Sequence, residues 1–136
     1  MTTQLLRVGT TYLPVQQVKD SAEWYASKLG AKLNYIDEDK AILDLANQSF
    51  FLVAAQNSER ANFIKRNGNE HFSMTFEVDG LEALKELHQQ LKESGVKVGN
   101  IEDRGHTGNN FVFEDNNSNQ FDVWSELSPS FKINKR

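Results

Sequence analysis

Four side chains in the second half of the chain have the chemistry of metal ligands: His71, His106, Asp122 and Glu126. Imidazole and carboxylate groups are ligands that zinc, iron and manganese take in proteins. Asp122 and Glu126 are expected on one face of the last strand, and His106 lies in the polar stretch DRGHTG. In the alternative interpretation, His71 flanks a strand, His106 is a solvated turn residue, and the four bind no metal.

Arg104 lies in the same DRGHTG stretch, next to Asp103. Because a guanidinium matches carboxylate and phosphate groups in bidentate fashion, Arg104 could hold an anionic substrate group. The alternative is a surface ion pair with Asp103. His88 lies beside Gln89 and Gln90 on a predicted helix and is expected to face water.

The elements that must position these residues recur in two halves. Asp115 to Asn119 is a dense turn signal between the last two strands, and Gly30 and Gly95 each follow a predicted helix. The stretches GAKLNYIDED and GVKVGNIEDR begin at those two glycines and nearly repeat each other. The first half is predicted to contain a strand over 10–15, a helix ending at residue 29, and strands over 32–36, 41–45 and 50–54. The second half is predicted to contain a strand over 72–78, a helix over 81–94, and strands over 96–101, 110–114 and 120–125.

This repeat predicts an α+β fold built from two tandem βαβββ modules in one domain, 1–136. Module 1 is expected over about 7–56 and module 2 over about 71–126. A polar linker is expected over about 57–70, and a polar C-terminal tail over 128–136.

The composition excludes several classes of protein. The chain has 136 residues, no cysteine and a formal net charge of −4. The lack of cysteine removes disulfides, thiolate metal sites and cysteine nucleophiles. The negative charge argues against a nucleic-acid partner, and no apolar run is long enough to span a membrane. The N-terminal residues do not have the apolar core of a signal peptide, so a cytoplasmic location is expected.

An ordered set of short motifs, LPV, SAEWY and LG in the first half and FEVDGL and EDNNSNQFD in the second, spans most of the chain. This set resembles the vicinal oxygen chelate superfamily, which includes glyoxalase I, bleomycin- and fosfomycin-resistance proteins and extradiol dioxygenases. The resemblance covers about residues 7 to 126. It implies paired βαβββ modules in a curved, cleft-shaped mixed sheet with helices on the outer face, often in a homodimer.

The resemblance also implies a metal ligand on the first and last strand of each module, drawn from histidine, glutamine and glutamate. In this sequence those positions fall on Thr10, on Phe51 or Leu52, on Ser73 and on Asp122. Only Asp122 is a charged ligand, and one carboxylate with hydroxyls binds a divalent ion poorly. The usual metal site is therefore expected to be lost, and a relocated site built from the two histidines and two acids named at the outset is the alternative.

Strand alternation adds aromatic, apolar and hydroxyl side chains to the face that carries those positions. Such a mixed surface suits a small, partly aromatic molecule held by stacking and a few hydrogen bonds. The alternative is that these side chains fill a core between the modules and leave no pocket. With Arg104, the predicted ligand-binding residues are Thr10, Tyr12, Phe51, Val53, Ser73, Thr75, Arg104, Asp122 and Trp124.

Two functions remain open from the sequence, and whether the protein is an enzyme stays undecided between them. The first is a cofactor-free protein of the glyoxalase/bleomycin-resistance type that holds a small ligand in the cleft. The alternative is a lyase, isomerase or dioxygenase-like enzyme that uses zinc, iron or manganese at the relocated site. A third interpretation is an interaction module whose partner covers the sheet.

Overall fold

A computed structural model describes residues 2–134, and the side chains of residues 2–132. The chain divides into two compact units, Met1–Glu59 and Arg60–Arg136, and the boundary lies inside the predicted linker. The class is α+β, as predicted. No helix among the described residues is long and apolar enough to cross a membrane.

The first unit forms the predicted βαβββ module. Its elements are β1 (Thr10–Val15), α1 (Val18–Leu29), β2 (Lys32–Ile36), β3 (Lys40–Leu45) and β4 (Gln48–Ala54). The strands lie in the order β1-β4-β3-β2. β1 is parallel to β4, and the other neighbouring strands are antiparallel.

Alternation along the strands of the first unit separates a buried face from a partly exposed one. Leu13 and Leu52 are buried register partners in β1 and β4, and Tyr25 of α1 is fully buried with them in the core. α1 ends at Leu29, and Gly30 caps it with a left-handed φ of 71°, which lets the chain turn into β2.

The second unit repeats the arrangement with a shorter sheet. Its elements are β5 (Phe63–Ile64), β6 (Glu70–His71), β7 (Thr75–Glu77), α2 (Leu81–Glu93), β8 (Asn110–Glu114), β9 (Gln120–Trp124) and α3 (Pro129–Asn134). The main sheet has the order β7-β9-β8, with β7 parallel to β9 and β8 antiparallel to it.

The predicted strand over 96–101 is wrong as a continuous element. One isolated bridge forms in this stretch, Val98 with Phe113, and a second forms just after it, Glu102 with Asn110. Gly99 lies between them, and its N–H donates to Val112 O at 2.7 Å. The segment therefore still runs beside β8, but glycine weakens the pairing that a full strand needs.

The strand predicted over 72–78 is shorter than expected. β7 begins only at Thr75, Ser73 lies in a bend outside it, and His71 belongs to β6. The segment predicted as a linker contains the β5–β6 hairpin. This hairpin is anchored because Ala61 N–H donates to Asn119 Oδ1 at 2.8 Å and Asn62 Nδ2 donates to Ser118 O at 2.9 Å.

The segment predicted as a polar tail contains α3. Ser128 precedes this helix, and its backbone N–H and hydroxyl both donate to the carboxylate of Glu77 in β7. Side-chain hydrogen bonding therefore ties the start of α3 to the sheet. Residues 135 and 136 of the predicted tail lie outside the described residues.

Candidate functional site

Asp122 is a buried carboxylate in the middle of the second unit's sheet. The register places it between Thr75 of β7 and Val112 of β8, and the residue is 2% exposed. Its Oδ2 accepts hydrogen bonds from Thr75 Oγ1 at 3.0 Å and from Asn110 Nδ2 at 2.9 Å. Two neutral donors therefore stabilise one oxygen of this carboxylate, because burial of a charged group without partners is unfavourable.

Arg104 supplies the positive charge that compensates this carboxylate. Its Nη1 lies 3.1 Å from Asp122 Oδ1, and its Nε lies 3.0 Å from Glu102 Oε1. The guanidinium carbon is 5.6 Å from the centroid of the Phe72 ring, which is cation–π distance. Arg104 thus pairs with Glu102 and Asp122, whereas the neighbouring Asp103 accepts the N–H of Gly105 at 2.9 Å.

Two acceptor atoms in this cluster are buried and make no hydrogen bond, Asn110 Oδ1 and Asp122 Oδ1. The Arg104–Asp122 contact is an ion pair by distance, but its N–H is not aligned for a hydrogen bond to Oδ1. Most buried polar atoms in proteins are paired. The cluster is therefore electrostatically compensated but retains two unused acceptors.

Trp124 lies two residues beyond Asp122 and is fixed by the loop that carries Arg104. Its Nε1 donates to Thr107 O at 2.8 Å, and the His106 ring meets it edge-on at 6.1 Å. The loop approaches this closely because residue 108 is glycine. A Cβ at Gly108 would lie 2.7 Å from Ser125 Oγ and 2.8 Å from Trp124 Nε1, and its φ is +82°.

The relocated metal set is not assembled in the described part of the chain. His71 faces its neighbour Phe72, with Nδ1 near Phe72 O and the two rings 4.0 Å apart. His106 contacts Thr107 O and Trp124. Among residues 2–134 no group of three or more histidine, aspartate or glutamate side chains is arranged to hold a metal ion.

The predicted site residues of the first unit lie on the partly exposed face of its sheet. Tyr12 and Phe51 are register partners with ring centroids 5.1 Å apart, and Tyr12 is 64% exposed. Val53 is also exposed, and Thr10 is half-buried opposite Ser49. The structure therefore brings Tyr12 and Phe51 together as an aromatic pair in this unit.

A groove of about 740 Å³ lies on the first unit between α1 and β2, away from that aromatic pair. Its lining includes apolar residues, among them Val18, Ala22, Leu33 and Ile36, together with charged ones such as Glu23. None of the predicted site residues lines it. The groove depends on how α1 sits against the sheet, which periodicity along the sequence does not reveal.

Asp37, the residue after β2, accepts several hydrogen bonds that change its pKa. The Tyr35 hydroxyl donates to Oδ2 at 2.8 Å, and the N–H groups of Asp39 and Lys40 donate to Oδ1. These hydrogen bonds favour the ionised form and lower the pKa of Asp37 to about 2. The same hydrogen bond to Asp37 raises the pKa of Tyr35 above its ordinary value.

Sequence reasoning missed three side chains that contact Asp122 or Arg104: Phe72, Glu102 and Asn110. The turn between β8 and β9 could have revealed Asn110. With Glu114 opposite Gln120, the antiparallel register places Val112 opposite Asp122 and Asn110 opposite Trp124, so Asn110 is a diagonal neighbour of Asp122 on the same face.

His88 was predicted to face water, and that prediction is wrong. It is half-buried, edge-on to Phe111 at 4.9 Å, with Nε2 2.8 Å from Gly99 O.

The order of elements in both units matches a known family, with the first and last strand of each unit's main sheet paired in parallel. A family model described as the Glyoxalase/Bleomycin resistance protein/Dioxygenase superfamily matches residues 7–123. The chain belongs to this superfamily. The resemblance stated from its sequence motifs is therefore confirmed.

Solved structures of the superfamily share the fold at low sequence identity. Lactoylglutathione lyase from Agrobacterium tumefaciens has a TM-score of 0.71 and 16% identity, over 90% of this chain and 95% of that one. The fosfomycin resistance protein FosX from Listeria monocytogenes has a TM-score of 0.73 and 13% identity, over 93% and 98%. A glyoxalase/bleomycin resistance/dioxygenase domain from Frankia has a TM-score of 0.71 and 18% identity, over 91% and 100%. No curated protein matches the chain.

Proposed function

We propose that this member of the glyoxalase/bleomycin resistance protein/dioxygenase superfamily is a small-molecule-binding protein that works without a divalent metal. The ligand site comprises Asp122 and the side chains around it, Phe72, Thr75, Arg104 and Trp124. The observation that carries the proposal is the ion pair between Asp122 and Arg104, 3.1 Å between Oδ1 and Nη1. A guanidinium compensates the one charged residue at the positions where the superfamily resemblance implies metal ligands.

The side chains at those positions do not fit a divalent ion. Phe51 has no ligand atom, and Asp122 Oδ2 already accepts hydrogen bonds from Thr75 and Asn110. A divalent cation bound to Asp122 Oδ1 would also repel the Arg104 guanidinium, because Arg104 Nη1 lies 3.1 Å from that oxygen. Because a divalent ion needs several oxygen or nitrogen ligands, this set favours a metal-free site.

The side chains around Asp122 suit an organic ligand with a flat, partly apolar body. Phe72 and Trp124 are partly exposed aromatic residues, and Thr75 is exposed and is the register partner of Asp122. Aromatic rings supply contact area and stacking, while hydroxyl, amide and charged groups fix orientation. Two proteins with the same fold, lactoylglutathione lyase and fosfomycin resistance protein, also have names that refer to small organic molecules.

The test is a binding screen that reports on the site itself. Protein purified without chelator or histidine tag is titrated with aromatic metabolites and antibiotics, and the indole N–H signal of Trp124 is followed by NMR. We expect at least one compound to shift this signal and to bind equally well with and without EDTA. By isothermal titration calorimetry, the variant Trp124→Phe should bind that compound more weakly than the wild type, whereas Lys85→Ala on the exposed side of α2 should bind it equally well. A screen in which no compound shifts Trp124, or in which EDTA abolishes every hit, would refute the proposal.

A further inference from the structure

We infer that Arg104 occupies the place of a cationic ligand group, and that the ligand of this site carries a positively charged nitrogen that displaces Arg104 from Asp122. This inference rests on the proposed function and names the chemical class of the ligand. It reverses the interpretation of Arg104 as a clamp for a substrate anion.

The charge balance of the cluster disfavours an anion. One guanidinium, Arg104, faces two carboxylates, Glu102 at 3.0 Å and Asp122 at 3.1 Å. Asp103 adds a further acid to the same loop. An anionic ligand would meet a guanidinium whose charge is already compensated, whereas a cation is attracted to the excess negative charge.

The unused acceptors indicate what kind of group the site can accept. Asn110 is 3% exposed and Asp122 is 2% exposed. The Oδ1 atom of each is buried and accepts no hydrogen bond. Rotating the Asn110 amide would not help, because its oxygen would then face Asp122 Oδ2 in place of the Nδ2 that now donates at 2.9 Å. An ammonium or amidinium group has several N–H donors and no acceptor, so its chemistry matches acceptors of this kind.

The aromatic surroundings also suit a cation. The Arg104 guanidinium already lies over the Phe72 ring at 5.6 Å, so this site binds a delocalised cation in its present form. Asp122 and Asn110 are held in paired strands, whereas Arg104 lies in a stretch without helix or strand, and its side chain is 27% exposed. Arg104 is therefore the part of the cluster that can leave when a ligand cation enters.

Three probes of nearly equal shape and different charge test the inference: benzamidinium, benzamide and benzoate. Each is titrated into the whole protein, and the Trp124 indole signal is followed by NMR. We expect benzamidinium to bind about tenfold more tightly than benzamide, and benzoate to bind most weakly. Asp122→Asn should remove the preference for benzamidinium, because it removes the charge that the cation meets.

Variants of Arg104 separate displacement from simple attraction. Arg104→Gln removes the competing cation and should tighten benzamidinium by about tenfold, which corresponds to about 1.4 kcal/mol. Arg104→Lys keeps a competing cation and should leave the benzamidinium affinity close to that of the wild type. If Arg104→Gln does not fold, the comparison of wild type, Arg104→Lys and Asp122→Asn still decides the inference.

The outcomes distinguish this inference from the proposed function. Equal binding of the three probes, tightest binding of benzoate, or weaker benzamidinium binding by folded Arg104→Gln would overturn the cationic class while leaving a metal-free ligand site. If magnesium chloride shifts the Trp124 signal as much as benzamidinium does at the same concentration, the assignment of an organic cation as the ligand would also be overturned. Failure of every compound in the wider screen would refute the proposed function itself.

Discussion

Removing Arg104 should expose the cost of burying the Asp122 carboxylate. The side chain of Asp122 is 3% exposed, and that of Arg104 is 27% exposed, with 3.1 Å between the paired atoms. In Arg104→Gln the carboxylate keeps the hydrogen bonds from Thr75 and Asn110 but loses its counter-charge. In Asp122→Asn the side chain keeps its shape, and an amide oxygen can still accept from both donors.

The expected magnitude lies between the two limits for ion pairs. Breaking a fully buried pair costs about 3–5 kcal/mol, and exposed pairs contribute about 0.2–1 kcal/mol. Because one partner here is buried and the other is partly exposed, we expect Arg104→Gln to lower the free energy of unfolding by about 2 kcal/mol. Asp122→Asn should lower it by about 1 kcal/mol, and the double variant should reveal a coupling of about 1–1.5 kcal/mol.

The assay is urea unfolding of the wild type, both single variants and the double variant, followed by NMR signals of the second unit. A matched control is the pair Arg60 and Glu70 in the same unit, whose atoms are also 3.1 Å apart but whose side chains are 40% and 31% exposed. The coupling in the control cycle should stay below about 1 kcal/mol. A coupling between Arg104 and Asp122 below about 0.3 kcal/mol, or a larger loss for Asp122→Asn than for Arg104→Gln, would refute the reasoning.

Three further variants test other contacts. Gly108→Ala should destabilise the fold by about 2 kcal/mol and shift the signals of the Arg104 loop in NMR, because the residue is left-handed and has no room for a Cβ; an unchanged urea midpoint would contradict this. Asn119→Ala should cost about 2 kcal/mol in urea unfolding, because its buried amide anchors Ala61; unaltered hydrogen exchange in the β5–β6 hairpin would count against it. Since the folded pKa of Asp37 is lowered from 3.8 to about 2, its ionised form stabilises the protein above about pH 4, and this contribution is lost as the pH falls towards 2. The melting temperature of the wild type should therefore fall relative to that of Asp37→Asn over this pH range. The same variant should have a lower Tyr35 pKa in a titration followed at 295 nm. An equal pH dependence of the two melting temperatures, or an unchanged Tyr35 pKa, would contradict the assignment.

Periodicity predicted the first unit well because its strands and helix are regular and separated by clear turn residues. It failed at 96–101, although this stretch nearly repeats GAKLNYIDED. In the first copy the pairing of β2 with β3 shifts register between Leu33 and Tyr35. Gly99 occupies the equivalent place in the second copy, and only isolated bridges remain there. Both copies of the repeat are therefore irregular at this position. The first copy has a register shift within a continuous strand, whereas the glycine in the second copy weakens the pairing so far that no continuous strand forms.

The candidate site was only partly predictable, because its decisive contacts join residues far apart in the chain. Asp122 and Thr75 follow from strand alternation and register. The partner of Arg104 does not, because proximity in sequence favours Asp103 whereas folding brings Asp122 to it. The unused acceptors on Asn110 and Asp122 depend on the alignment of individual N–H groups, which side-chain packing determines.

The measurement that tests the central claim most directly is isothermal titration of Mn²⁺ into protein purified without chelator or histidine tag, for the wild type and Asp122→Asn. If Arg104 compensates Asp122 in place of a metal, neither protein should bind Mn²⁺ more tightly than about 1 mM. One-to-one binding by the wild type at about 10 µM or tighter, lost in Asp122→Asn, would contradict the account.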